Sequence, residues 1–65
     1  MRLVVNDEAL EVDENTTVEE LLVRLGMPDK GIAVAVDWAV IPRSEWHRTL
    51  SDGAKVEVVT AVQGG

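Results

Sequence analysis

No cysteine occurs in this chain of 65 residues, so it folds without a disulfide or a thiolate-bound metal. Domains of this size lie near the lower limit for folding on an apolar core alone. One compact domain spanning 1–65 is therefore expected, with nearly every apolar side chain committed to it. The hydrophobic residues, 46% of the total, suffice for such a core and are mostly Val, Leu, Ile and Ala, with Trp38 and Trp46 the only aromatics.

The pattern of those residues predicts the elements. Residues 2–6 and 9–13 alternate apolar with polar or charged side chains around Asn6-Asp7-Glu8, which reads as a β-hairpin. Thr17 then opens a helix, because Glu20 stands at the spacing at which the two side chains bond each other's backbone amides. Val18, Leu21, Leu22 and Leu25 fall on one face of that helix, Gly26 can take the left-handed stop, and Pro28 prevents resumption. Residues 32–36 form a continuous apolar run too short for a helix, hence a buried strand. Residues 40–42 suggest a short edge strand ending at Pro42, and residues 44–50 a helical turn or irregular loop. Asp52-Gly53 marks a turn before the last strand, 55–62. Nothing remains for residues 63–65 to pack against, so a mobile C-terminal tail is expected.

Strand, strand, helix, strand, short strand, strand has a natural solution when the first and last strands are parallel neighbours. The result is an α+β, β-grasp arrangement: a mixed sheet of four to five strands with one main helix packed on one face. Leu3, Val5, Leu10, Val12, Val34, Val36, Val56 and Val58 would meet Val18, Leu21, Leu22 and Leu25.

Charge and residue inventory exclude several functions. The net charge is −6, and seven of the twelve acids fall between Asp7 and Glu20, a surface that repels phosphate backbones and argues against nucleic acid. These acids keep a small protein soluble, or else they speed encounter with a basic partner. No apolar run approaches the ~20 residues of a membrane span, and the N-terminus does not read as a signal peptide. A cytoplasmic monomer is the expectation. His47 is the single histidine, with no cysteine to form a nucleophile–base pair and too few neighbours for a metal site. Asp13-Glu14 lacks the spacing of a calcium loop, and there is no glycine-rich phosphate loop. The chain is not expected to be an enzyme or to bind a cofactor itself.

Gly64-Gly65 remains. A segment without side chains can thread a narrow active site in another protein and present its α-carboxylate to a nucleotide phosphate. Adenylation would turn that poor electrophile into one a sulfur nucleophile can attack, and a side chain at the last position would crowd both steps. A frayed end is the other reading of two terminal glycines.

Over essentially its full length the chain resembles the bacterial thiamine-biosynthesis sulfur carriers, the ThiS family, which are ubiquitin-like. The matching segments are Leu3-Val4-Val5-Asn6, Thr17-Val18-Glu19-Glu20-Leu21-Leu22, Ile32-Ala33-Val34-Ala35-Val36, Ile41-Pro42-Arg43-Ser44-Glu45-Trp46, Leu50-Ser51-Asp52-Gly53 and Val62-Gln63-Gly64-Gly65. The Pro-Arg-Ser-Glu-Trp stretch ahead of a Gly-Gly end discriminates best. The resemblance implies that a ubiquitin-activator-like adenylyltransferase uses ATP to adenylate Gly65. A persulfide donor (a cysteine desulfurase or related protein) then makes the thiocarboxylate, and thiazole synthase takes the sulfur. Gly65 matches the modified position and Gly64 the residue before it.

The chain departs from the family pattern at Asp37-Trp38-Ala39, where an Asn-Gly-like turn is common, at Gln63 and at Ala54. Arg43 and Trp46 are either structural, covering a sheet end, or contacts for a partner. Trp38 reads as a cap packed on its own turn, with an exposed partner contact as the alternative. Three rival functions remain open: a carrier like the small subunit of molybdopterin synthase, a ubiquitin-like modifier conjugated through Gly65, and a β-grasp interaction module with no terminal chemistry.

Overall fold

The computed structural model describes residues 1–28 and 30–60. Strands β1 (Arg2–Val5), β2 (Glu8–Glu11), β3 (Ile32–Val36), β4 (Ala39–Val40) and β5 (Lys55–Thr60) form one sheet in the order β2-β1-β5-β3-β4. Helix α1 (Val18–Arg24) packs on one face, and a 3-10 turn (Arg43–Glu45) follows β4. β1 and β5 run parallel, with Val5 opposite Val56, whereas the other three pairings are antiparallel. This is the β-grasp arrangement expected from the element order.

Both hairpins are tighter than the sequence suggests. Val5 pairs with Glu8 and Val36 with Ala39, so each turn has two residues, Asn6-Asp7 and Asp37-Trp38. All four have positive φ, between 47° and 73°. Two consecutive left-handed residues give the turn twist that matches the twist of the strands it joins. The strands accordingly begin at Glu8 and Ala39, one residue earlier than the expected 9–13 and 40–42. Pro42 lies beyond β4, where it opens the 3-10 turn.

The helix has the predicted boundaries, and its ends are satisfied in full detail. The Glu20 amide donates to Thr17 Oγ1 at 3.1 Å, and the Thr17 amide donates to Glu20 Oε1 at 3.0 Å. At the other end Gly26, at φ 72°, lets its own amide reach the Val23 carbonyl and that of Met27 reach Leu22. That pair of bonds is a Schellman motif, which needs a left-handed residue at the position glycine holds. Replacing Thr17 with Ala removes one partner of the N-terminal box and should cost ~1 kcal/mol. A urea midpoint that does not fall would show that the box contributes nothing.

The core joins Leu3, Val5, Val34, Val56 and Val58 of the sheet to Val18, Leu21 and Leu22 of the helix, with Val12, Trp46 and Ala54 closing its ends. Leu10 and Val36 are half-buried. Leu25, expected on the apolar face, is 38% exposed. It is the C-terminal cap, still at φ −79° and ψ −6° with its amide bonded to the Leu21 carbonyl at 2.9 Å, so it keeps the helical direction but stands at the end of the apolar face, beyond Leu22, the last buried residue of α1. No helix among the described residues is long and apolar enough to cross a membrane.

Candidate functional site

Gly64 and Gly65, the expected seat of the chemistry, lie with Gln63 outside the described residues, which end at Thr60. The structure does show how β5 is held up to that point. On one side the rungs to β3 continue to the strand's last residue, Thr60 opposite Ile32. On the other, β1 ends at Val5, and the Asn6 amide makes one more backbone bond, to the Val56 carbonyl at 2.9 Å. The next rung is made by a side chain. The Val58 amide donates to Asn6 Oδ1 at 2.9 Å, and Asn6 Nδ2 donates back to the Val58 carbonyl at 3.3 Å. The asparagine amide thus stands where the next residue of β1 would be.

Arg43 and Trp46 are brought together. Trp46 is 5% exposed and belongs to the core; its Nε1 donates to the Ile41 carbonyl at 3.1 Å. Its carbonyl accepts from the Glu19 amide at 3.2 Å, satisfying a donor in the first turn of α1 that has no partner within the helix. The Arg43 guanidinium lies 5.1 Å from the ring centroid, and Glu45 pairs with Arg48. Trp46 thus joins the loop 46–50 to the helix, as Thr17 does by bridging to Thr49.

Trp38 is a separate feature. The residue is 74% exposed, with Lys55 Nζ 4.5 Å from the ring centroid. Asp37 holds the same lysine, its Oδ1 accepting from the Lys55 amide at 3.0 Å and its own amide donating to the Lys55 carbonyl at 2.7 Å. The self-packing cap is therefore partial: one cation rests on the indole, and the residue stays largely exposed. A bulky residue in the left-handed region costs ~1–2 kcal/mol, so the turn departs from the Asn-Gly pattern in chemistry but keeps its geometry. Trp38 adjoins the start of β5, about 17 Å from its last residue at ~3.3 Å per strand residue. The structure does not bring Trp38 to the end from which residues 61–65 continue.

His47 is exposed, and no group of three or more His, Asp or Glu residues that could hold a metal occurs among the described residues. Sequence reasoning missed Asn6. Its position in a tight turn is legible, but a side-chain bond to a strand 52 residues away is not.

The comparisons with known proteins agree with this architecture. The ThiS family model matches residues 1–65. The sulfur carrier protein ThiS of Escherichia coli is 30% identical over 66 aligned residues, which cover all of both chains. A thiazole synthase of Paramagnetospirillum magneticum is 35% identical over 66 residues, and the chain spans only 20% of that protein's length. The crystal structure of a thiamine biosynthesis protein (ThiS) from Geobacter metallireducens superimposes with a TM-score of 0.81 at 32% identity, covering all of both chains. The solution structure of a thiamine biosynthesis protein from the same organism gives 0.78 at 32% identity, covering all of this chain and 88% of that one. Sequence over the full length and fold together show that the chain belongs to the ThiS family.

Proposed function

We propose that the chain is a sulfur carrier for thiamine biosynthesis, and that the carboxylate of Gly65 carries the sulfur. The observation that supports this reading most is that the family match runs through to Gly65, so Gly64-Gly65 lies inside the matched region. The reaction begins when a Gly65 carboxylate oxygen attacks the α-phosphorus of ATP in an adenylyltransferase, forming an acyl adenylate and releasing pyrophosphate. The terminal sulfur of a donor protein's persulfide then attacks the acyl carbon, and AMP leaves with the bonding electron pair. A thiol cleaves the resulting acyl disulfide, forming a disulfide with the donor sulfur and leaving the Gly65 thiocarboxylate. Thiazole synthase accepts that sulfur. The similarity to part of a thiazole synthase supports this last partner.

In this cycle the chain supplies no catalytic group and holds no cofactor; ATP is bound and consumed by the adenylyltransferase. The single domain serves as a handle that the enzymes grip, and residues 63–65 are the part they act upon. Intact mass of the protein isolated from its native host tests the reading. A species heavier by one oxygen-to-sulfur exchange, mapped to a terminal Gly65 by fragmentation, is the expected result. Gly65 found in an isopeptide bond to lysines of other proteins would replace the carrier by a protein modifier.

A further inference from the structure

We propose that Asn6 is a positioning residue for activation: by clamping β5 at Val58, it fixes the point from which the C-terminal residues are offered to the adenylyltransferase. The proposal rests on the reading of Gly65 as the reacting residue.

β1 must turn away at Val5 to form its hairpin with β2, and that leaves the far end of β5 with a neighbour on the β3 side only. Val58 directs both backbone groups toward the vacated side, where its amide and carbonyl meet Asn6 Oδ1 and Nδ2. A side-chain amide is a peptide group on a methylene stem, so it can replace a missing rung with one donor and one acceptor. The turn itself demands less. At φ 47° residue 6 could equally be Gly or Asp, since each tolerates the left-handed region. Glycine lacks the clamp altogether, and an ionised aspartate keeps the acceptor but loses the donor. Of these three turn-compatible residues, only asparagine completes both bonds.

The consequence concerns reach. Val58 stands seven residues before Gly65, a span of at most ~25 Å when fully extended. Without the clamp the end of β5 becomes an edge held on one side, and its last two-sided anchor retreats to Val56. The stretch of chain beyond that two-sided anchor lengthens from seven residues to nine, of which Val59 and Thr60 keep only their pairing with β3. Holding the less firmly anchored end of β5 in one place is then a cost met on binding and shared by ground and transition states, so it raises KM and spares kcat.

The test uses the full-length chain as wild type, Asn6→Gly, Asn6→Asp and Asp7→Gly, the last altering the same turn at φ 70° without touching Val58. Amide hydrogen exchange at Val58, referred to Val56, reads the clamp, and steady-state pyrophosphate release with the cognate adenylyltransferase reads activation. Loss of two ordinary hydrogen bonds should speed Val58 exchange and raise KM for the chain by about tenfold each, with kcat within about twofold. Asn6→Asp should fall between, and Asp7→Gly should resemble wild type in both readouts. Unchanged exchange at Val58 in Asn6→Gly overturns the clamp. Faster exchange with an unchanged KM leaves Asn6 purely structural and overturns the positioning role, as does an equal KM rise in Asp7→Gly. A wild-type chain that releases no pyrophosphate overturns the Gly65 reading and with it Asn6's role in activation; the exchange data separate that failure from loss of the clamp.

Discussion

Deleting Gly65 is expected to abolish pyrophosphate release with ATP and the cognate adenylyltransferase while leaving stability within ~0.5 kcal/mol of wild type. The two halves of this expectation have different physical origins. Every buried apolar residue among the described ones lies at or before Val58, so removing residue 65 takes nothing from that core. The reacting carboxylate, however, retreats by one residue, ~3.3–3.6 Å. In-line attack on a phosphorus requires reacting atoms held ~3–3.5 Å apart, and a misplacement of ~1 Å can already cost 10²-fold. Gly64→Val should have a similar effect by a different route, since a branched side chain stiffens a segment that has to thread an active site. Appending one residue buries the former reacting carbon in a peptide bond. Thermal melts run alongside serve as the folding control. A Gly65 deletion adenylated at a rate close to wild type would mean that the terminal carboxylate is not the functional group.

Replacing Leu21 with Ala should lower stability by ~2–5 kcal/mol, the range for a fully enclosed leucine whose cavity the surroundings refill only in part. At ~0.05–0.15 kcal/mol per residue the whole domain is worth only ~3–10 kcal/mol, so this variant should lose a large share of its total stability. The absence of cysteine makes the loss severe, because no disulfide limits the unfolded ensemble. Val23, two residues along the same helix and 79% exposed, is the control. Val23→Ala should change stability by no more than ~0.5 kcal/mol. Denaturant midpoints for the two variants that shift by similar amounts would show that the apolar face of α1 has been misassigned.

Leu21 was legible because helical burial is periodic, and Val18, Leu21 and Leu22 all point to the sheet as their spacing requires. The limits of α1 were legible too, since the Thr17–Glu20 box and the Gly26 stop are local chemistry between residues a few positions apart. The parallel pairing of β1 with β5 followed from element order and the need to cover one face of a sheet. Local signals also placed the first hairpin and the two strands of the second, but with each connection one residue too long. Neither Asn6-Asp7 nor Asp37-Trp38 carries the glycine that announces two consecutive left-handed residues.

Tertiary structure decided the rest, wherever a residue's role depends on what lies opposite it. Trp46 could have faced a partner or the interior. Its burial follows from the loop 46–50 folding over the start of α1, where the Trp46 carbonyl supplies an acceptor the helix lacks. Trp38 could have packed on its own turn, but at the end of a hairpin it meets the Lys55 ammonium and stays 74% exposed. Asn6 looked like turn chemistry and nothing more. Its second task exists because β1 stops short of β5, a mismatch of strand lengths that appears only once residues 52 positions apart are side by side. Periodicity and capping are written within a few residues and survive in the sequence. A rung completed by a side chain is a property of the gap it fills, and no single segment contains the gap.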